Sequence, residues 1–218
     1  MYSISCILGG LFIALAGYCS TVVSSTFLIY PDTQIIGKIL SALVFPIGII
    51  FTLIGNGTLF TTKCADIRYP KETLTLIPVW ILNLLGVGLF CLLLYSGNYI
   101  SNSIDIKIAI FKLAKTKIEY SGWHYLIGGI LCNILVCFGA IAYSKLQDKL
   151  VGLIIVYLSI FAFVMCGFEH SVANMYYLIS GLMVSNDIDI VVGATNLLNA
   201  TIGNLISGLI IGAIYEHN

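Results

Sequence analysis

Charge is scarce in this sequence: ten Lys+Arg and ten Asp+Glu make up 9% of 218 residues and cancel to a formal net charge of zero. Without a basic excess there is no electrostatic grip on nucleic acid or on an anionic membrane surface, so nucleic-acid binding is set aside. Proline is rare too, with four residues, and no Pro/Ser-rich linker or low-complexity tract divides the chain. The seven cysteines, Cys6, Cys19, Cys64, Cys91, Cys132, Cys137 and Cys166, contain no Cys-x-x-Cys pair and form no Cys/His metal-site pattern, so they are read as buried thiols. No Ser-His-Asp, paired-Asp or His-Glu-x-x-His arrangement is present, and neither an enzyme activity, a cofactor nor a metal is expected.

Apolar residues are what the chain has in abundance: 59% are hydrophobic, and the mean hydropathy is +1.03. That composition belongs to an integral membrane protein whose solvent is the lipid bilayer. Stretches 1–31, 39–62, 73–104, 120–144, 150–168 and 190–215 carry no Asp, Glu, Lys or Arg. Each is long enough to cross a hydrocarbon core, which needs roughly 20 residues. The sequence therefore predicts an all-α bundle of six spans forming one domain over 1–218. A further charge-free piece, 170–186, is shorter and follows Glu169 and His170, so it reads as half of a broken helix. Loop charge does not orient the bundle, because five basic residues fall on each side, but an even number of spans puts both termini on one side. Residues 105–117 place Ile106, Ile110, Leu113 and Ala114 near one helical face among lysines, the pattern of a short interfacial helix.

Polar groups at membrane depth are costly and mark pathways. Gly167-Phe168-Glu169-His170-Ser171-Val172-Ala173-Asn174 inserts a carboxylate, an imidazole, a hydroxyl and an amide between two apolar runs. A second interruption, Gly55-Asn56-Gly57-Thr58-Leu59-Phe60-Thr61-Thr62, closes the second span. Paired breaks predict an inverted repeat around a central pore, with halves at about 1–104 and 120–218. His170 is the side chain near the centre that can exchange a proton at working pH: it can hand one to a weak-acid anion, or stay charged and attract it. Lys117 can collect anions at one mouth, with Lys107, Lys112 and Lys115 raising their local concentration. Glu169 is assigned to holding the broken helix. Thr61 and Asn174 can hydrogen-bond an anion, or each other across the two breaks.

The residues themselves carry a resemblance. GFEHSVANM at 167–175 and GGILCNILVC at 128–137 resemble the formate/nitrite transporter family, and CILGGLFIALAG at 6–17, LFT at 59–61, NLLGVG at 83–88 and TIGN at 201–204 follow in that family's order. The resemblance implies an aquaporin-like fold, a homopentamer in the plasma membrane with a pore in each protomer, and cytoplasmic termini. It implies passage of small monovalent anions such as formate, nitrite or hydrosulfide. It places the family's central histidine on His170, its loop threonine on Thr61 and its vestibule lysine on Lys117, with Asn133 at the matching spacing. By family position, Leu59 and Phe163 form one apolar constriction and Phe45 with Ile49 the other.

There are departures from the family pattern. Thr58 stands where many members have an acid, the connections 62–74 and 181–190 are short, and the sequence opens directly on the first span, where members usually carry an amphipathic helix. A hydrosulfide channel of the same family and a neutral-solute channel of aquaporin type remain alternatives. The latter should carry two Asn-Pro-Ala boxes, and neither break has one.

Overall fold

A computed structural model of the chain describes residues 2–216. The extreme termini, Met1 and His217–Asn218, whose cytoplasmic placement the resemblance implies, lie outside the described residues. The helices are α1 (Tyr2–Ile29), α2 (Gln34–Val44), α3 (Ile47–Ile54), α4 (Phe60–Lys63) and α5 (Leu76–Ser96), then α6 (Ile104–Thr116), α7 (Gly122–Lys145), α8 (Lys149–Cys166), α9 (Ser171–Val184) and α10 (Ile190–Glu216). Among the described residues six spans are long and apolar enough to cross a membrane, α2 and α3 together forming one of them. Pro46 divides that span. It cannot donate a backbone hydrogen bond, so Phe45–Pro46 forms a turn and the helix restarts at Ile47.

The outside of the bundle is apolar. On α5, Ile77, Ile81, Leu85, Leu89 and Leu92 recur along one exposed face, and on α10 Leu198, Ile202, Ile206, Ile210 and Ile214 do the same. The interior takes the small and polar residues: Ser20, Thr21, Ser24, Asn83, Asn133, Asn196 and Asn204 are all buried. They lie among a hydrophobic core that includes Ile13, Leu59, Phe163 and Tyr176, as helices pack where lipid rather than water is the solvent.

The two halves repeat one plan. In the first, α1 crosses α5, and a Cβ on Gly10 would meet the Asn83 carbonyl while one on Gly86 would meet the Ile7 carbonyl. In the second, α7 crosses α10, where Gly129 faces the Ala200 carbonyl and Gly203 the Leu126 carbonyl. The obstacle in each case is backbone and cannot swing aside. Gly203→Val is therefore expected to cost about 1–3 kcal/mol by overpacking, lowering the melting temperature in detergent by roughly 3–10 °C. Gly88 of α5, by contrast, faces open space. Gly88→Ala should leave the melting temperature unchanged or raise it, and a drop matching that of Gly203→Val would refute the packing account.

Three boundaries differ from the sequence reading. The second span begins at Gln34 and ends at Ile54, so Lys38 lies inside a helix rather than before it. The third span ends at Ser96, after which Asn98 turns the chain with a positive φ of 60°. The helix expected at 105–117 is present as α6, capped by Ser103, but its inner face is covered by protein: Ala109, Ile110 and Ala114 are buried where α6 packs on α1 and α9. It is a packed strut linking the halves.

Candidate functional site

Each break is pinned from both sides by the same logic. At the first, helix α3 ends at Ile54 and α4 does not begin until Phe60. Thr58 N–H donates to the Ser5 carbonyl of α1 at 2.9 Å. Asn83 of α5 then does triple duty: its amide nitrogen donates to the carbonyls of Cys6 (2.7 Å) and Thr58 (2.8 Å), and its oxygen accepts Phe60 N–H (2.8 Å). At the second break, Gly167 closes α8 in the left-handed region with φ of 73°, where a side chain would be strained. Glu169 N–H donates to the Gly128 carbonyl of α7 at 3.1 Å. Asn204 of α10 donates to the carbonyls of Gly129 (2.8 Å) and Glu169 (2.9 Å) and accepts Ser171 N–H (2.9 Å). An unpaired backbone group at this depth would cost several kcal/mol, so these two asparagines make the interruptions affordable.

The breaks meet at His170. Its Nε2 lies 3.1 Å from Thr61 Oγ1, joining residues 109 positions apart. Its Nδ1 accepts Ala173 N–H at 3.1 Å, capping α9. A ring nitrogen that accepts a backbone N–H carries no proton, so neutral His170 bears its hydrogen on Nε2 and donates it to the Thr61 hydroxyl. That leaves the Thr61 hydroxyl proton available to a passing acceptor. The imidazole is 2% exposed and stacks on Phe163, with centroids 5.7 Å apart and planes at 14°.

Glu169 turns the other way, as adjacent residues should. Its Oε2 accepts Lys117 Nζ at 3.0 Å, Asn174 Nδ2 at 2.6 Å and Asn196 Nδ2 at 3.3 Å. The side chains of Lys117 and Glu169 are 12% and 3% exposed, so the pair is largely withdrawn from solvent. Asn174 Nδ2 also donates to Asn196 Oδ1 at 2.8 Å. Asn174 therefore serves the carboxylate, and the alternative of a bond to Thr61 across the breaks is not what the structure shows.

A cavity of about 420 Å³ leads from the surface to this centre. Its lining includes Lys38, Lys117 and His124, the aromatic pair Phe45 and Phe163, and at its floor Glu169, His170 and Asn174. Of the four residues expected to form constrictions, Phe45 and Phe163 line the cavity and are edge to face at 5.9 Å, with Phe163 stacked on His170. Leu59 and Ile49 are buried and do not line the cavity. Asn133 does not line it either: its amide donates to the carbonyls of Thr61 (3.0 Å) and Asn204 (2.7 Å), binding the two breaks from behind. Of the lysines expected to gather anions, Lys112 instead donates to the carbonyls of Leu28 and Ile29 at the end of α1, and Lys115 to that of Asp187. Lys107 is not part of the cavity lining.

Sequence reasoning passed over Lys38, His124, Asn83, Asn196 and Asn204. The asparagines had a visible signal, being amides inside apolar spans. Lys38 and His124 had none, because each sits at a span end where charge is ordinary.

The formate/nitrite transporter family model matches residues 1–217. The chain is 28% identical over 222 residues to "Formate-nitrite transporter 2" of Toxoplasma gondii, an alignment covering 94% of this chain and 48% of that protein. The chain thus spans about half the length of that relative. It is 28% identical over 210 residues to "Formate channel FocA" of Escherichia coli K12, covering 82% and 73% of the two chains. Among solved structures, "Pentameric formate channel with formate bound" superposes with a TM-score of 0.89 at 21% identity, over 99% of this chain and 95% of the other. "FNT family ion channel" superposes with a TM-score of 0.82 at 23% identity, over 99% and 89%. At these identities the superpositions speak to fold.

Proposed function

Because the chain belongs to the formate/nitrite transporter family, we propose that this multi-pass membrane protein conducts small monovalent anions of weak acids, with formate, nitrite and hydrosulfide as candidate substrates. We place it in the plasma membrane as a homopentamer with cytoplasmic termini, each protomer carrying its own pore. The pentamer rests on likeness in fold to the pentameric formate channel. The observation that carries the functional reading is the lysine-lined cavity ending at a histidine held between both helix breaks.

A bare anion at the bilayer centre faces a barrier of about 3–17 kcal/mol. Lys38 and Lys117 at the cavity wall offset part of it, while Glu169 keeps Lys117 in place and limits how tightly an anion is held. Beyond Phe45 and Phe163 the anion meets the Thr61 hydroxyl and the His170 ring. Protonation of His170 at Nδ1 gives an imidazolium, which must release the Ala173 N–H, a cap worth about 1 kcal/mol. The imidazolium is then poised to give its Nε2 proton to the anion, directly or through the Thr61 hydroxyl. The products are a neutral weak acid, free to cross the apolar far side, and a neutral imidazole protonated at Nδ1, which gives that proton to water and takes one from water at Nε2, so that each anion neutralised consumes one proton from solution. Asn133, Asn174 and Glu169 act by holding the breaks in register.

The test is flux from proteoliposomes of the purified protein with formate, nitrite, hydrosulfide and lactate, against glycerol as a neutral control. Saturable weak-acid flux above that of protein-free vesicles is expected. Glycerol flux without weak-acid flux would favour the neutral-solute channel and overturn the reading.

A further inference from the structure

His124 lies in the first turn of α7 and lines the same cavity as Lys38 and Lys117, yet nothing in the mechanism above uses it. Its ring is exposed and fixed by aromatic neighbours. It stacks on Tyr120 with centroids 4.2 Å apart and planes at 19°, and meets Tyr125 edge-on at 6.0 Å. Tyr120 is itself anchored, its N–H donating to Tyr125 Oη at 2.8 Å. The imidazole is therefore held against the cavity wall.

Several charged and titratable groups share this space. Lys38 comes from α2, Lys117 and Tyr120 from the segment between α6 and α7, Cys166 from the end of α8, Glu169 and His170 from the break before α9, and Tyr177 from α9, while exposed Glu119 neighbours them in sequence without lining the cavity. Lys117 is already matched by Glu169. Within the lining, Lys38 then supplies the fixed positive charge that is left over, so one more charge on the wall changes the balance substantially. Imidazole is the side chain whose charge changes between about pH 5 and 8.

Resting on the anion-channel reading, we propose that His124 is a proton-controlled anion collector in the wall of the cavity, distinct in place and effect from His170. Charged His124 raises the concentration of anions in the cavity as the pH of the facing solution falls. It acts on capture, so it changes the anion concentration giving half-maximal flux and leaves the proton step at His170 to set the maximal rate. A further unit charge acting through solvent at the distance of a cavity wall is expected to change capture by about two- to fivefold.

The experiment measures formate flux in proteoliposomes as a function of formate concentration, at pH 5.5 and 7.5, for the wild type, His124→Asn and His124→Lys. At low ionic strength the wild-type half-saturating concentration should fall about two- to fivefold from pH 7.5 to 5.5. His124→Asn should lose that fall, and His124→Lys should show the low value at both pH values. In about 1 M inert salt, where the screening length is near 3 Å, the three proteins should converge. Identical half-saturation shifts in wild type and His124→Asn would overturn the proposal, as would a difference that survives high salt. Absence of saturable formate or other weak-acid flux from the wild type would overturn the anion-channel reading and this proposal with it.

Discussion

His170→Asn is expected to remove the pH dependence of weak-acid flux while leaving a folded protein. Asparagine is among the best helix N-caps, so it can accept Ala173 N–H as His170 Nδ1 does and keep α9 started in the same place. What it cannot do is take up and release a proton. The measurement is flux at saturating anion in high salt, where capture by wall charges no longer matters, across pH 5.5 to 7.5. Wild-type flux should rise as pH falls, because transfer begins from the imidazolium. The variant should give a flat profile and a maximal rate lower by at least about tenfold, a general acid ordinarily contributing about 10²–10⁴-fold. A variant that keeps the wild-type slope would sink proton exchange at His170.

The second large effect is at the buried ion pair. In Lys117→Met, Glu169 keeps its bonds to Asn174 and Asn196 but loses its counter-charge at 3% exposure. Stranding one partner of such a pair costs about 3–5 kcal/mol, so a fall of roughly 10 °C in melting temperature is expected. Flux at low anion concentration should drop by at least about tenfold, because the cavity floor changes from neutral to negative. The double variant Lys117→Met with Glu169→Gln tests the common cause. Removing both charges should recover most of the lost stability, since a glutamine can still accept from Asn174, and, with the floor neutral again, most of the lost capture. If the double variant were as unstable as the single one, the stranded carboxylate would not be the cause.

These outcomes follow from a division of labour between neighbours in sequence. Glu169 and His170 are adjacent, yet one reaches Lys117 and Asn196 while the other reaches Thr61 and Ala173 N–H. The chain is extended at His170, with φ −92° and ψ 112°, so consecutive side chains leave in opposite directions. The break is what allows one residue to govern charge at the cavity floor and the next to face the opposite break.

The membrane class, the six spans, the two interruptions and the pairing of halves were all legible in the sequence, because each is a local property. Charge-free runs must lie in hydrocarbon, and a Glu-His pair amid such runs must be buried against partners. Roles could be proposed for His170 and Thr61 from the motif pieces that contain them, and for Lys117 from its spacing to Asn133. Tertiary structure decided the rest. It put Phe163 beside Phe45, turned Asn133 to the back of the breaks, and diverted Lys112 to the end of α1. It also assigned Asn83 and Asn204 to the breaks and brought Lys38 and His124 into one cavity. The physical reason is that a span apolar all round has no periodic signal for which face looks inward. Contacts across 70 or more residues then depend on how closely the glycines let helices approach, and that is settled only when all six spans are packed.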